Sequence, residues 1–206
     1  MEKFLSLPKE KQDGIIDAAM STFGTNGYKK TSVNDIAVAA GISKAMVFHY
    51  FGTKKKFYLY LLDVCGHTLM DELTGKFDRS VTDFFDRIIL ATEIKVAMMR
   101  RHPSILSFLY SAFYETDNEV KADIQALFTG GEGERFRQSL VFDGMDSSKF
   151  KEGIDPQVVM KLLTAYGYGY MNMTPNQTET NLDAVMKDFE DCIQLLKNNL
   201  YKENAL

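Results

Sequence analysis

Residues 31–57 read TSVNDIAVAAGISKAMVFHYFGTKKKF, and the middle of that stretch, Gly41-Ile42-Ser43, decides the fold. Glycine supplies a left-handed residue past a helix end, isoleucine plugs the corner, and serine caps the next helix, so two short helices meet there at a steep angle. Upstream, Thr31 or Ser32 with Asp35 in the first turn forms a capping signal for a helix to about Ala40. Downstream, a helix starts at Lys44. At about 100° per residue, Val47, Phe48 and Phe51 share its inner face, and Ala45, Met46, His49 and, on the flank, Tyr50 lie opposite. Ala37, Ala40 and Ala45 are small enough to let backbones approach or to leave an outward face shallow, which suits a groove.

Working outward, Ile15, Ile16, Ala19 and Phe23 form a stripe that predicts a helix from about Lys9 to Thr25, with Gly27 placed to end it. Thr53 caps a long helix that reaches Thr74 or Lys76 and turns Phe57, Leu61, Val64 or Cys65, and Leu69 inward. Further helices are expected near residues 81–101, 104–114 and 119–127, the first two separated at Pro103. Asp155-Pro156 opens another, and a last one covers about residues 181–201. No sustained run alternates with period two, so the fold class is all-α.

Composition narrows the function. An apolar fraction of 45% with 25% charged residues excludes a disordered chain. No run approaches the roughly 18 apolar residues of a membrane span, and MEKFLSLPKEK lacks the apolar core of a signal peptide, so a cytoplasmic protein with no membrane partner is expected. Cys65 and Cys192 stand in apolar helical contexts without CxxC spacing and read as small hydrophobes. Charge is uneven. Residues 1–60 hold nine Lys/Arg against five Asp/Glu, while the remainder holds fifteen against twenty-three, in a chain of net charge −4. That asymmetry fits either a solvated surface or a small segment that meets a polyanion.

Enzymatic signatures do not appear. Gly130-Gly-Glu-Gly-Glu-Arg-Phe136 lacks both GxGxxG spacing and a GK[ST] ending, and reads as a helix break or loop. His49, His67 and His102 have no i, i+4 partner of metal-binding type. No nucleophile–base signature such as GxSxG or HExxH is present. The chain is therefore expected to be no enzyme and to need no metal or cofactor.

The middle and end of the chain are rich in methionine and aromatics, which suit an ordinary core or an adaptable cavity for an apolar or aromatic small molecule. Candidate cavity residues are Phe85, Met98, Phe108, Phe113, Tyr114, Tyr166 and Tyr170. The stripes Val159, Leu162, Leu163 and Phe189, Ile193, Leu196 either fold back on the body or give two helices to a dimeric four-helix bundle.

From about Lys9 to Leu69 the sequence resembles the DNA-binding domain of the TetR/AcrR family of bacterial transcriptional regulators, through IIDAAMSTFGTNGY (15–28), TSVNDIAVAAGISKAMVFHYF (31–51) and TKKKF (53–57). The resemblance implies an N-terminal three-helix helix-turn-helix domain over residues 1–52. A long helix joins it to a larger helical regulatory, ligand-binding and dimerisation domain over residues 53–206. It implies a homodimer on a palindromic operator in double-stranded DNA, most simply a repressor released by a small-molecule effector. By motif position, Thr31, Ser32, Ser43, Lys44, Tyr50 and Lys54 would touch phosphates, and Ala45, Met46 and His49 would face base edges. One departure stands at Phe48, where the family usually carries a tyrosine whose hydroxyl reaches a phosphate. The alternatives are a helical small-molecule-binding protein or enzyme, or a dimeric interaction module, with an incidental helix-turn-helix.

Overall fold

A computed structural model describes residues 1–129, 131–173 and 182–205. The helices are α1 (Glu2–Leu5), α2 (Lys9–Lys30), α3 (Val33–Ala39), α4 (Lys44–Phe51), α5 (Lys54–Lys76), α6 (Phe84–Arg101), α7 (Pro103–Phe113), α8 (Lys121–Thr129), α9 (Gly131–Phe142), α10 (Pro156–Met173) and α11 (Leu182–Leu200). Among the described residues the nearest thing to a strand is an isolated antiparallel bridge between Phe150 and Tyr201. The all-α class holds. Three local features differ from the sequence expectation, the first being that residues 131–136, expected as a helix break or loop, form the opening turns of α9. Gly27 adopts a positive φ of 73° but kinks α2 instead of ending it, so helical residues resume as far as Lys30. The short α1 ahead of α2 was not anticipated, since four residues are too few to show a period.

The chain divides into two compact units, Met1–Gly75 with Ala97–Arg137, and Lys76–Val96 with Gln138–Leu206. In the first, α2 packs lengthwise on α7, and one aromatic cluster joins Phe23, Tyr28, Tyr58 and Phe108. The close packing has a local cause. A Cβ on Gly24 would stand 2.5 Å from Ser107 Oγ and 2.9 Å from the Ser107 carbonyl carbon, so only glycine admits α7 at this distance. Cys65 lies in this core, where burial pushes its thiol up to about 12, the state of an inert hydrophobe.

The second unit is built around a different kind of core. Phe84, Phe85, Phe150 and Tyr201 pack ring against ring beside Val159, Leu163 and Ile193. Arg87 is fully buried among them and donates to the carbonyls of Val81 (2.6 Å), Leu140 (2.7 Å) and Asp143 (2.9 Å), which satisfies the C-terminal end of α9. Asp83 accepts from the Phe85 and Asp86 backbone N–H groups at the start of α6, from Lys149 Nζ at 2.8 Å and from the Tyr201 hydroxyl. Burial alone raises the Asp83 carboxyl. The Lys149 hydrogen bond, the Asp86 N–H and the nearby lysine charges outweigh it and leave the group below the ordinary carboxylate range.

Candidate nucleic-acid interface

The turn between α3 and α4 forms as its residues dictate. Gly41 takes a φ of 64°, and the Ile42 N–H bonds the Ala37 carbonyl at 3.0 Å while the Gly41 N–H bonds Val38 at 3.2 Å, the paired closure of a Schellman cap. Ser43 then caps α4 by accepting from the Met46 N–H at 3.2 Å. At the other end of α3, Ser32 and Asp35 make a reciprocal capping box of 2.9 and 3.1 Å. The backbone N–H of Ser32, followed by its hydroxyl, holds the Asp35 carboxyl below its ordinary value. Ser32 and Ser43 are both exposed, and the Ser43 hydroxyl hydrogen remains available to an acceptor outside.

The outward face of α4 consists of Lys44, Ala45, Phe48 and His49, all exposed, with Met46 half-buried on its flank. This corrects the expected facing at two positions. Phe48 is 43% exposed, and Tyr50 is 4% exposed and packs inward beside Val47 and Phe51. Helical period could not separate the two arrangements, because Val47 and Phe51 share an arc of about 100° equally well with Phe48 or with Tyr50. On the inner side, Phe4 of α1 lies against Tyr50 and Phe51. Tyr50 is thereby removed from the set of phosphate-contacting residues.

Thr31 leaves that set too. Its side chain is buried, and Oγ1 donates to the Gly27 carbonyl at 2.7 Å, across the kink in α2. Lys54 serves the same segment, since its Nζ donates to the carbonyls of Tyr28 at 3.0 Å and Thr31 at 3.2 Å and sits 4.2 Å from the Tyr28 ring centre. From α7, Ser111 Oγ donates to the Phe23 carbonyl at 3.1 Å, and Glu115 Oε2 accepts the Tyr28 N–H at 2.7 Å. The kinked end of α2, immediately before the helix-turn-helix, is thus held from α5 by Lys54 and from the α7 side by Glu115. Lys55, next along α5, pairs with Asp123 at 2.8 Å. Sequence reasoning missed Glu115, Gly24 and Phe4, each of which acts only through a partner distant in the chain.

Residues 15–61 match the model of the bacterial regulatory proteins of the tetR family. That segment carries the tetR-family pattern. The fatty acid metabolism regulator protein of Bacillus subtilis is 23% identical over 76% of this chain and 78% of its own length. The transcriptional regulator RutR of Escherichia coli K12 is 25% identical over 86% and 81%. Among solved structures, a TetR family regulator from Chloroflexus aurantiacus aligns with a TM-score of 0.69 at 22% identity, covering 98% of this chain and 99% of that one. The regulator FadR of Bacillus subtilis, in complex with stearoyl-CoA, aligns at 0.70 and 16% identity, covering 88% and 96%. The family match begins within α2 and ends within α5, so it takes in the whole turn and outward face described above.

Elsewhere in the chain the candidate residues fall into separate places. Met98 and Phe108 are buried in the first unit's core, and Phe113 and Tyr114 are half-buried beyond them on α7 and at its end. Phe85 belongs to the second unit's core with Phe150 and Tyr201, and Tyr166 faces Phe189 there at 6.3 Å between ring centres. The side chain of Tyr170 lies outside the described residues. Phe85 is therefore not brought together with Met98 and Phe108 in one core. Of the stripes expected to pair two copies, Val159, Leu163 and Ile193 are consumed by the protomer's own core, with Phe189 and Leu196 half-buried against it. Leu162 is 58% exposed, and its unburied companions are Val158 and Leu195, which the sequence reading passed over.

Proposed function

We propose that the chain is a repressor that binds a palindromic operator as a homodimer and is released by a small apolar or aromatic effector. The observation that carries the DNA part is the exposed face Lys44, Ala45, Phe48 and His49, set on a capped helix at a helix-turn-helix corner. Lys44 supplies charge for a phosphate, and the exposed Ser43 hydroxyl supplies a neutral hydrogen-bond donor. Ala45 and the Phe48 ring offer apolar contact to thymine methyls, and His49 can donate to or accept from a base edge in the major groove. With few polar groups aimed at bases, DNA shape carries a share of the selectivity.

The exposed Val158 and Leu162, one turn apart on α10, and Leu195 on α11 support a homodimer through these helices, since large apolar side chains are covered by a second copy more readily than left in water. A cytoplasmic location follows from a DNA partner, and no helix among the described residues is long and apolar enough to cross a membrane. Release by effector is supported by the physical continuity from α7 through Ser111 and Glu115 to the end of α2. A ligand that prefers one arrangement of α7 shifts the reader by its differential affinity for the two. A mobility-shift titration on upstream DNA, repeated with a long-chain acyl-CoA as first effector probe, tests both parts. A retarded band that falls with salt supports the DNA part, and its absence on every palindromic fragment refutes it.

A further inference from the structure

We propose that Phe4 is a positioning residue for DNA recognition, one that fixes the rotation of α4 and thereby holds Phe48 outward; the proposal rests on the DNA-binding reading. Phe4 lies outside the region matched by the family model, on the four-residue helix α1. It is the buried residue of that helix and is fully enclosed, while Met1 and Leu5 on either side are exposed. Its ring stands 4.7 Å from Phe51 and 5.9 Å from Tyr50, centre to centre, and 5.9 Å from Tyr60 of α5. Gln12 of α2 ties α1 down, donating from Nε2 to the carbonyls of Leu5 at 3.1 Å and Leu7 at 2.9 Å.

The buried face of α4 comprises Val47, Tyr50 and Phe51, and Phe4 touches two of the three. A helix of eight residues with so small an inner face has two nearly equivalent ways to bury its aromatics. A turn of about 60° around its axis exchanges Tyr50 for Phe48 while keeping Val47 and Phe51 inside. Phe4 fills the space beside Tyr50 and selects the observed state. Without it, burying Phe48 removes a ring from the DNA face and displaces Ala45 and His49 from their register.

The chain contains no tryptophan, so Phe48→Trp places a single reporter on the face in question. In the otherwise native chain its emission is expected to be solvent-like and strongly quenched by iodide. Adding Phe4→Ala is expected to shift the emission to the blue and protect it, and Phe4→Leu to restore the exposed signal. In parallel, with the native Phe48, Phe4→Ala is expected to weaken binding to a duplex selected by the wild type from a randomised pool by at least about tenfold. Binding to a random duplex and the salt slope are expected to stay within about twofold of wild type, because the charge of Lys44 is kept and its long side chain still reaches a phosphate after the turn. Should Phe4→Ala fail to fold, Gln12→Ala, which only frees α1, is expected to give the same shifts at a smaller scale. Unchanged emission and unchanged selected-site affinity in these folded variants overturn the proposal, as does an equal loss on both duplexes. A wild type that binds no duplex overturns the DNA-binding reading itself, and the proposal with it.

Discussion

Glu115 accepts the backbone N–H of Tyr28 at 2.7 Å, a bond from the end of α7 to the residue immediately after the kink in α2. The other carboxylate oxygen accepts from the N–H groups of Thr116 and Asp117, both at 2.9 Å, so the side chain is oriented from its own loop. Charge-assisted bonds of this kind contribute about 1.5–3 kcal/mol. Glu115→Ala is expected to lose about that much in urea unfolding and to weaken operator binding in step, whereas Glu115→Gln, which keeps an acceptor in place, loses about half as much. An alanine variant as stable as the wild type would show that the bond carries no coupling.

Gly24 sets how near α7 can come. Adding one methyl group there meets backbone atoms of Ser107 and Phe108 at 2.9 and 3.0 Å, which a rotamer change cannot relieve. Gly24→Ala is expected to cost about 1–3 kcal/mol despite alanine's better helix propensity. Thermal melts decide the sign. A stabilised Gly24→Ala chain would mean that α2 and α7 are not in close contact in solution.

How far each of these features could be read from the sequence follows from the range over which it acts. The Gly41 turn, the Ser32–Asp35 box and the Ser43 cap are made within six residues, and the sequence order alone specifies them. Outward facing on α4 is legible for Ala45 and His49, whose positions lie away from either possible inner arc, and not for Phe48 and Tyr50, which differ in contacts made from distant parts of the chain such as Phe4. Thr31 and Lys54 were read as phosphate ligands because a hydroxyl and an ammonium beside a helix-turn-helix suit that role. Carbonyls at the end of α2, those of Gly27, Tyr28 and Thr31, use both groups first. The charged core around Asp83 and Arg87 joins residues more than fifty positions apart, and no local pattern announces it.

Acid sensitivity of the second unit follows from Asp83. Its folded-state carboxyl lies below the unfolded value near 4, so the stability it contributes is complete above that value and is lost as pH falls through the folded one. Asp83→Asn removes the charge that faces Lys149 and Lys197 and is expected to cost about 3 kcal/mol at neutral pH. The variant's stability should also become flatter between about pH 5 and 2 than the wild type's, as followed by denaturant titration at each pH. Parallel pH profiles for the two chains would rule out this role.

Phe48 occupies the position where the family usually presents a tyrosine hydroxyl to a phosphate, and it is exposed on the right face for that contact. Phe48→Tyr is therefore expected to tighten operator binding by about ten- to a hundredfold, the worth of one hydrogen bond to a charged acceptor. Equal affinity for the two chains in a titration would place the ring away from the DNA backbone.

The central claim is that the face Lys44, Ala45, Phe48 and His49 binds DNA. Fluorescence anisotropy with a labelled duplex from the chain's own upstream region tests it, comparing the wild type with Lys44→Glu plus Ala45→Glu across about 50–200 mM salt. Both substitutions fall on exposed positions, whereas charge reversal at Lys54 would also break the bonds that hold α2. The expected result is wild-type affinity that falls linearly on logarithmic axes with salt, and loss of binding in a double variant that melts like the wild type. Binding that ignores salt, or that survives the two added glutamates unchanged, would contradict it.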